Sequence, residues 1–221
     1  GEYSISDLES KIQTSTSSYA ERYTKFALNI DGSEGAKYNY NVTGSVERGG
    51  TYSLLSDDTI KVIKNIPFTM PWITNNSEDE VELRIINLFN DKLYSAKGNG
   101  NSTVIDLSKT SIKSTDFYVI NLFDPNSEDE EPLMPKSYNL KLIDNQNSID
   151  ITNEYNLLTK ELNLNSSLDQ MVLASFFVEK GLPNYAASHL YQASMISPDV
   201  EDYKGAFYQY LDNEGIVTKI K

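Results

Sequence analysis

The sequence predicts an α+β protein. An antiparallel β-sandwich is expected over residues 18–153 and a three- to four-helix segment over 154–221, with a polar tail or short helix over 1–17. Two observations predict this. Before Thr152 apolar residues recur at every second position, the period of a half-buried strand; beyond it they recur at every third or fourth, the period of a helix. The earlier part also holds about eight short apolar runs, separated by turn residues at roughly 8–12-residue spacing, which favours a sandwich over an alternating strand–helix sheet.

Taken in order, Ile5–Ile12 has room for one or two helical turns capped by Ser4 or Ser6. Tyr23, Phe26, Leu28 and Ile30 form an extended run that stops at Asp31-Gly32. Tyr38, Tyr40 and Val42 alternate with polar residues, and Gly49-Gly50 breaks the next run. Thr59–Lys64 alternates again. Pro67 and Pro71 bracket Phe68-Thr69-Met70, which marks an edge strand at best, because proline gives no N–H to a ladder. Leu83–Phe89 and Lys92–Lys97 read as a hairpin across Asn90-Asp91, residues that suit the positive φ angles of a type I′ turn. Thr103–Leu107, Phe117–Phe123 and Ser137–Ile143 complete the strands.

After the switch, Tyr155, Leu158 and Leu162 fall at helical spacing. Ser167-Leu168-Asp169-Gln170 reads as a capping box, opening a helix that Gly181 closes. Pro183 suits the first turn of a second helix, which ends before Pro198. Asp199, Glu201 and Asp202 load a third N-terminus with acid, as the helix dipole favours. Tyr203, Phe207, Tyr210 and Leu211 give that helix its apolar stripe, and Gly215 ends it.

Composition narrows the function classes. The 221 residues carry a net charge of −13 and are 39% hydrophobic, with 15 Tyr and 8 Phe. Such a chain has a core to bury and is not of disordered composition. The charge argues against nucleic acid, which needs Lys and Arg to displace counterions, and against an anionic membrane surface. Cysteine is absent, which removes disulfides, thiolate nucleophiles and zinc–thiolate sites. No run reaches the ~18 apolar residues of a membrane helix. Gly1 looks like the scar of a removed tag, so an export signal upstream is expected to have been cut away.

Two resemblances follow from particular residues. Ser167–Val200 is 34 residues long and resembles a tetratricopeptide repeat. Leu173, Ala174 and Phe177 stand at the large, small and aromatic positions of its first helix, and Ala186, Leu190, Ala193 and Pro198 match the second. Gln170 departs from the usual Trp. A single repeat cannot bury its own face, so it must lean on neighbouring elements. Ile66–Phe123 resembles the immunoglobulin-like sandwiches of exported Bacteroidota-type proteins, through Phe68–Trp72, Ile85–Tyr94, Val104–Ser108 and Phe117–Ile120. Ser114-Thr115-Asp116 stand where a turn glycine is expected. Gly44–Gly50 also resembles envelope sensor domains. These resemblances imply a periplasmic, secreted or cell-surface location and adhesion, scaffold or envelope roles.

Candidate site residues are few. Asn-Ser-Glu-Asp-Glu occurs at 76–80 and again at 126–130, so Asp79, Glu80, Asp129 and Glu130 would gather carboxylates for calcium or simply form solvated loop tips that suppress edge pairing. Trp72, with Tyr38, Tyr40, Tyr52 or Tyr118, would make a sugar-stacking platform or sit in the core; general burial tendencies favour the core. Tyr208 lies off the main stripe of the last helix and offers a contact for a partner peptide. His189 is the one histidine that a Ser-His-Asp triad would have to use. It sits among Ala186, Ala187 and Ala193, where a packing role is expected. No nucleophile–base pair, phosphate loop or metal motif is found, so no cofactor is implied. The expected function is a non-enzymatic, extracytoplasmic interaction or scaffold module whose partner is a protein. The alternative is a carbohydrate- or calcium-binding sandwich module.

Overall fold

The computed structural model describes residues 52–74, 80–127 and 131–216. The expected tail over 1–17, the runs at Tyr23–Ile30 and Lys37–Thr43, and Asp79, Asp129 and Glu130 lie outside the described residues. Within them the chain runs β1 (Tyr52–Leu54), β2 (Thr59–Ile63), β3 (Phe68–Thr74), β4 (Glu80–Asn87), β5 (Lys92–Asn99), β6 (Ser102–Ile105), β7 (Tyr118–Phe123) and β8 (Tyr138–Ile143). Four helices follow: α1 (Gln146–Glu161), α2 (Ser167–Glu179), α3 (Pro183–Ile196) and α4 (Glu201–Asn213). The protein is therefore α+β, strands first and helices after.

The strands form two sheets, ordered β1-β3-β6 and β2-β8-β7-β4-β5. All pairings are antiparallel except one: β2 lies parallel to β8, which corrects the expectation of a wholly antiparallel arrangement. No hairpin joins these two strands, so the chain imposes no direction on their pairing. Asp58 fixes the register from just before β2. Its carbonyl accepts from the N–H of Asn139 at 2.9 Å, and its carboxylate pairs with Lys136 at 2.5 Å.

β3 is also not the edge strand that its prolines suggested. It is the middle strand of the smaller sheet, but its two halves have different partners. Phe68–Pro71 pairs with β6, and Trp72–Thr74 pairs with β1. Pro71 stands at the changeover, just beyond the end of the β1 ladder, where a missing N–H costs the sheet no bond.

Alternation puts Val81, Leu83 and Ile85 of β4, Ile120 and Leu122 of β7, and Leu140 of β8 on one buried face. That face belongs to a core that continues through α1–α4 to Ile216, so strands and helices are packed on one another. Gly98 of β5 leaves room for the indole of Trp72 from the smaller sheet. A Cβ there would fall 2.4 Å from Cη2 of Trp72.

α3 fastens the helices to the strands. Tyr185, Ser188 and Gln192 project from one helical face onto the edges of β2 and β3. The Tyr185 hydroxyl accepts from the N–H of Ile63 at 2.8 Å, and its proton faces the carbonyls of Ile63 and Ile66, each at 3.1 Å. Ser188 Oγ accepts from the N–H of Thr69 at 2.8 Å, and Gln192 Nε2 donates to Thr69 Oγ1 at 2.6 Å. The half of β3 that lacks a β1 partner is thus completed by a helix.

The caps revise two helix boundaries. α1 starts at Gln146, not in the mid-150s, because Asn145 and Ser148 make a reciprocal capping box. In α2 the capping residue is Ser166, whose side chain accepts from the N–H of Asp169; Ser167 and Gln170 are turned inward instead. The C-termini are as the glycines predict. Gly181 and Gly215 have φ of +67° and +69°. Each closes a Schellman motif, with Leu182 N–H on Phe177 O and Ile216 N–H on Leu211 O.

Candidate functional site

The end of the five-stranded sheet where β4 runs into β5 is built to hold apolar side chains in water. Asn87 does most of this. Its Oδ1 accepts from the N–H groups of Phe89 and Asp91 at 2.8 and 2.9 Å, and its Nδ2 donates to Asp91 Oδ2 at 2.9 Å. Asn90 follows at φ +64° and is the only non-glycine residue among those described with positive φ. The loop is therefore the four residues Leu88–Asp91, not the two-residue type I′ turn expected from Asn90-Asp91, which needs both at positive φ. Leu88 is 71% exposed and Phe89 85%.

Phe117, 75% exposed, joins them. Asn87 pairs with Tyr118 in antiparallel register, so Leu88 and Phe117 leave the sheet side by side. The loop before β7 is fastened by the Tyr118 hydroxyl, which accepts from the N–H of Lys113 at 2.8 Å and donates to Asp116 at 3.1 Å. Burial and the Asp116 carboxylate push this phenol up, so it stays protonated.

At the same end of the sheet a groove of about 580 Å³ opens between the ends of β2 and β8, the 112–115 loop and α1. Ile63, Ile112, Leu142 and Ile149 share its lining with polar side chains such as Asn65, Ser114, Thr152 and Asn153. Lys64 crosses one side and donates from Nζ to the carbonyl of Thr110 at 2.7 Å.

The sequence candidates fall elsewhere. Trp72 is 1% exposed and its indole lies against β5, so it is a core residue and not an open stacking platform. Tyr208 is half-buried, with its ring 5.3 Å from that of Phe207; burial pushes its phenol up. Glu80 is exposed and pairs with Lys97 at 2.8 Å. Among the described residues no three of His, Asp and Glu gather closely enough to hold a metal ion.

His189 is buried in the helical layer. Gln170 Nε2 donates to the carbonyl of Leu164 at 2.6 Å, which fixes the amide and turns its Oε1 toward the imidazole, 2.7 Å from Nδ1. Nδ1 therefore carries the proton. Nε2 is buried with no partner, and the ring stacks on Phe177 at 6°. Neither nitrogen meets a hydroxyl or a carboxylate, so no catalytic relay starts here. Burial pulls the imidazole down to about 3.

Sequence reasoning missed Leu88, Phe89 and Phe117 by assigning them to strands. The one available signal was the placing of Leu88-Phe89 directly against the turn residues Asn90-Asp91. No protein-family model matches the chain, and no curated protein matches it either. Among the described residues no helix is long and apolar enough to cross a membrane.

Proposed function

We propose that the protein is a non-enzymatic interaction or scaffold module that works outside the cytoplasm and meets a partner protein at the end of its larger sheet. One observation carries this reading: the Asn87-locked turn holds Leu88 and Phe89 in water, and Phe117 is exposed on the neighbouring strand at the same end of the sheet. Large apolar side chains clustered in water mark interaction sites. A turn already fixed by hydrogen bonds loses little entropy when it docks.

In this reading the two sheets pack as a sandwich with Trp72 and Gly98 at their contact, and α2 and α3 form the tetratricopeptide-like pair. The fully buried Ala174, Ala186 and Ala193 support that pair, since small residues let two helices approach closely. The absence of cysteine fits an exported chain. A carbohydrate platform draws no support from Trp72, which is inside the core.

The test is retention of a partner. The full chain and the double variant Phe89→Ser, Phe117→Ser are used as bait in an extract of the source organism. The parent is expected to retain a protein that the variant loses, while both melt at the same temperature because neither side chain is buried. Equal retention by the two would remove the sheet end from the function.

A further inference from the structure

Further exposed apolar side chains lie on two connections among the helix ends. Leu164, Leu168, Ile196 and Val200 are each between 40% and 45% exposed. They come from two connections, α1 to α2 and α3 to α4, that are far apart in sequence and are clamped together. Ser167 Oγ donates to the carbonyl of Ala193 at 2.9 Å or to Ser197 Oγ at 2.7 Å. The first connection is fixed by Gln170 on the carbonyl of Leu164, and by Asp169, whose carboxylate accepts from the N–H of Asn163 at 2.7 Å. The second is a turn in which Val200 N–H reaches Ser197 O at 3.1 Å. The side chains are thus presented on a fixed frame.

The charge around this cluster has one sign. Glu161, Asp169, Asp199, Glu201 and Asp202 belong to the same two connections or the helix ends that flank them. No Lys or Arg occurs between Glu161 and Glu179, or between Gly181 and Tyr203; Lys160 and Lys204 stand just outside these stretches. An apolar patch with an acidic border complements an apolar face bordered by cations.

We propose that the patch formed by Leu164, Leu168, Ile196 and Val200 receives a basic amphipathic segment of a partner protein. Its apolar residues cover Leu168 and Ile196, and its lysines or arginines meet Asp199, Glu201 and Asp202. This site is separate from the sheet end and rests on different residues, so a module with both would bridge two partners.

The test uses the full chain and three labelled helical peptides, followed by fluorescence anisotropy at two salt concentrations. One peptide has a Leu face and a Lys face, the second has Gln in place of Leu at the same charge, and the third has Glu in place of Lys. The Leu/Lys peptide is expected to bind, more weakly at high salt, and each of the other two at least about tenfold more weakly. Leu168→Gln with Ile196→Gln keeps the chain's charge and removes only exposed apolar area. It is expected to weaken the Leu/Lys peptide about tenfold with an unchanged melting temperature, while Phe89→Ser with Phe117→Ser leaves that binding as it was. Equal binding of the Lys/Gln peptide would reduce the effect to diffuse attraction by an acidic chain and overturn the proposal. So would indifference to the Leu168/Ile196 variant. Light scattering that shows a dimer abolished by the same variant would assign the patch to a second copy. Binding of phosphatidylcholine vesicles through these residues would assign it to a lipid surface, and either result overturns the proposal.

Discussion

His189 sets a simple electrostatic problem at the scale of one residue. Its imidazole is neutral in the folded chain because burial holds it down at about 3, whereas an unfolded chain protonates it near the ordinary value of 6.5. The stability this provides is complete above about pH 6.5 and is lost progressively as pH falls toward 3, because only the unfolded state gains the proton. The chain has no other histidine, and carboxylates titrate lower. Unfolding free energy is therefore expected to fall by up to about 1.4 kcal/mol per pH unit between pH 6 and 5. His189→Gln, which still offers a donor to Gln170, is expected to flatten that slope; a slope unchanged in urea titrations would contradict the burial. Gly98 is limited by space instead. Gly98→Ala puts a methyl group 2.4 Å from Trp72 and 2.7 Å from the carbonyl of Ser102, and overpacking of that kind costs about 1–3 kcal/mol, readable from the shift in urea midpoint. Residue identity alone does not reveal such roles. Ile-Asn-Leu-Phe occurs twice, and Leu122 and Phe123 of one copy are buried while Leu88 and Phe89 of the other stand in water. The first copy lies in β7, between β4 and β8; the second runs off the end of its strand into a turn. Both copies read as strand in sequence, because the apolar rhythm does not say where a strand stops.

At the scale of elements, the helices were legible where the backbone itself enforces the boundary and obscure where side chains compete for it. Gly181 and Gly215 must occupy left-handed conformations, and Pro183 opens α3 as its fixed φ favours. The start of α1 was hidden because Asn147, Ser148, Asp150 and Thr152 read as loop, and only the Asn145–Ser148 capping box reveals the helix. Likewise Ser166 and Ser167 compete for one cap, and the loser bonds to Ala193 and Ser197. Ser166→Ala is accordingly expected to cost about 1 kcal/mol through the lost cap. The attachment of α3 was invisible in sequence, since Tyr185 reads as one more packing aromatic. Its hydroxyl satisfies the N–H of Ile63 in a strand that has, among the described residues, no further strand on that side. Tyr185→Phe keeps the ring against Phe68 and Phe177 but leaves that donor buried and unpaired, a loss of about 1–3 kcal/mol, measurable by urea unfolding. If the variant were as stable as the parent, α3 would be touching the strand edge without supporting it.

At the scale of the whole molecule, the change of rhythm near Thr152 separates strands from helices in sequence but does not separate them in space. The buried cluster runs without a break from Tyr52 through the sheets to Ile216. Among the described residues the edges of β2 and β3 are completed by α3, and Asn184 at the start of that helix accepts from Ser56 Oγ at 2.5 Å. Removing the helices would expose the Ile63 and Thr69 N–H groups together with one wall of the core, so the strands are not expected to hold their fold alone. The sequence supplies a probe of this. Trp72, the single tryptophan, is buried among strands, so its fluorescence follows the sheets, while far-ultraviolet ellipticity is dominated by α1–α4. In a urea titration of the full chain the two signals are expected to change together, with one midpoint and one slope, as a single cooperative unit requires. If ellipticity fell at clearly lower urea than the fluorescence change, the helices would be leaving an intact sheet pair, and the shared core would not be what holds the molecule together.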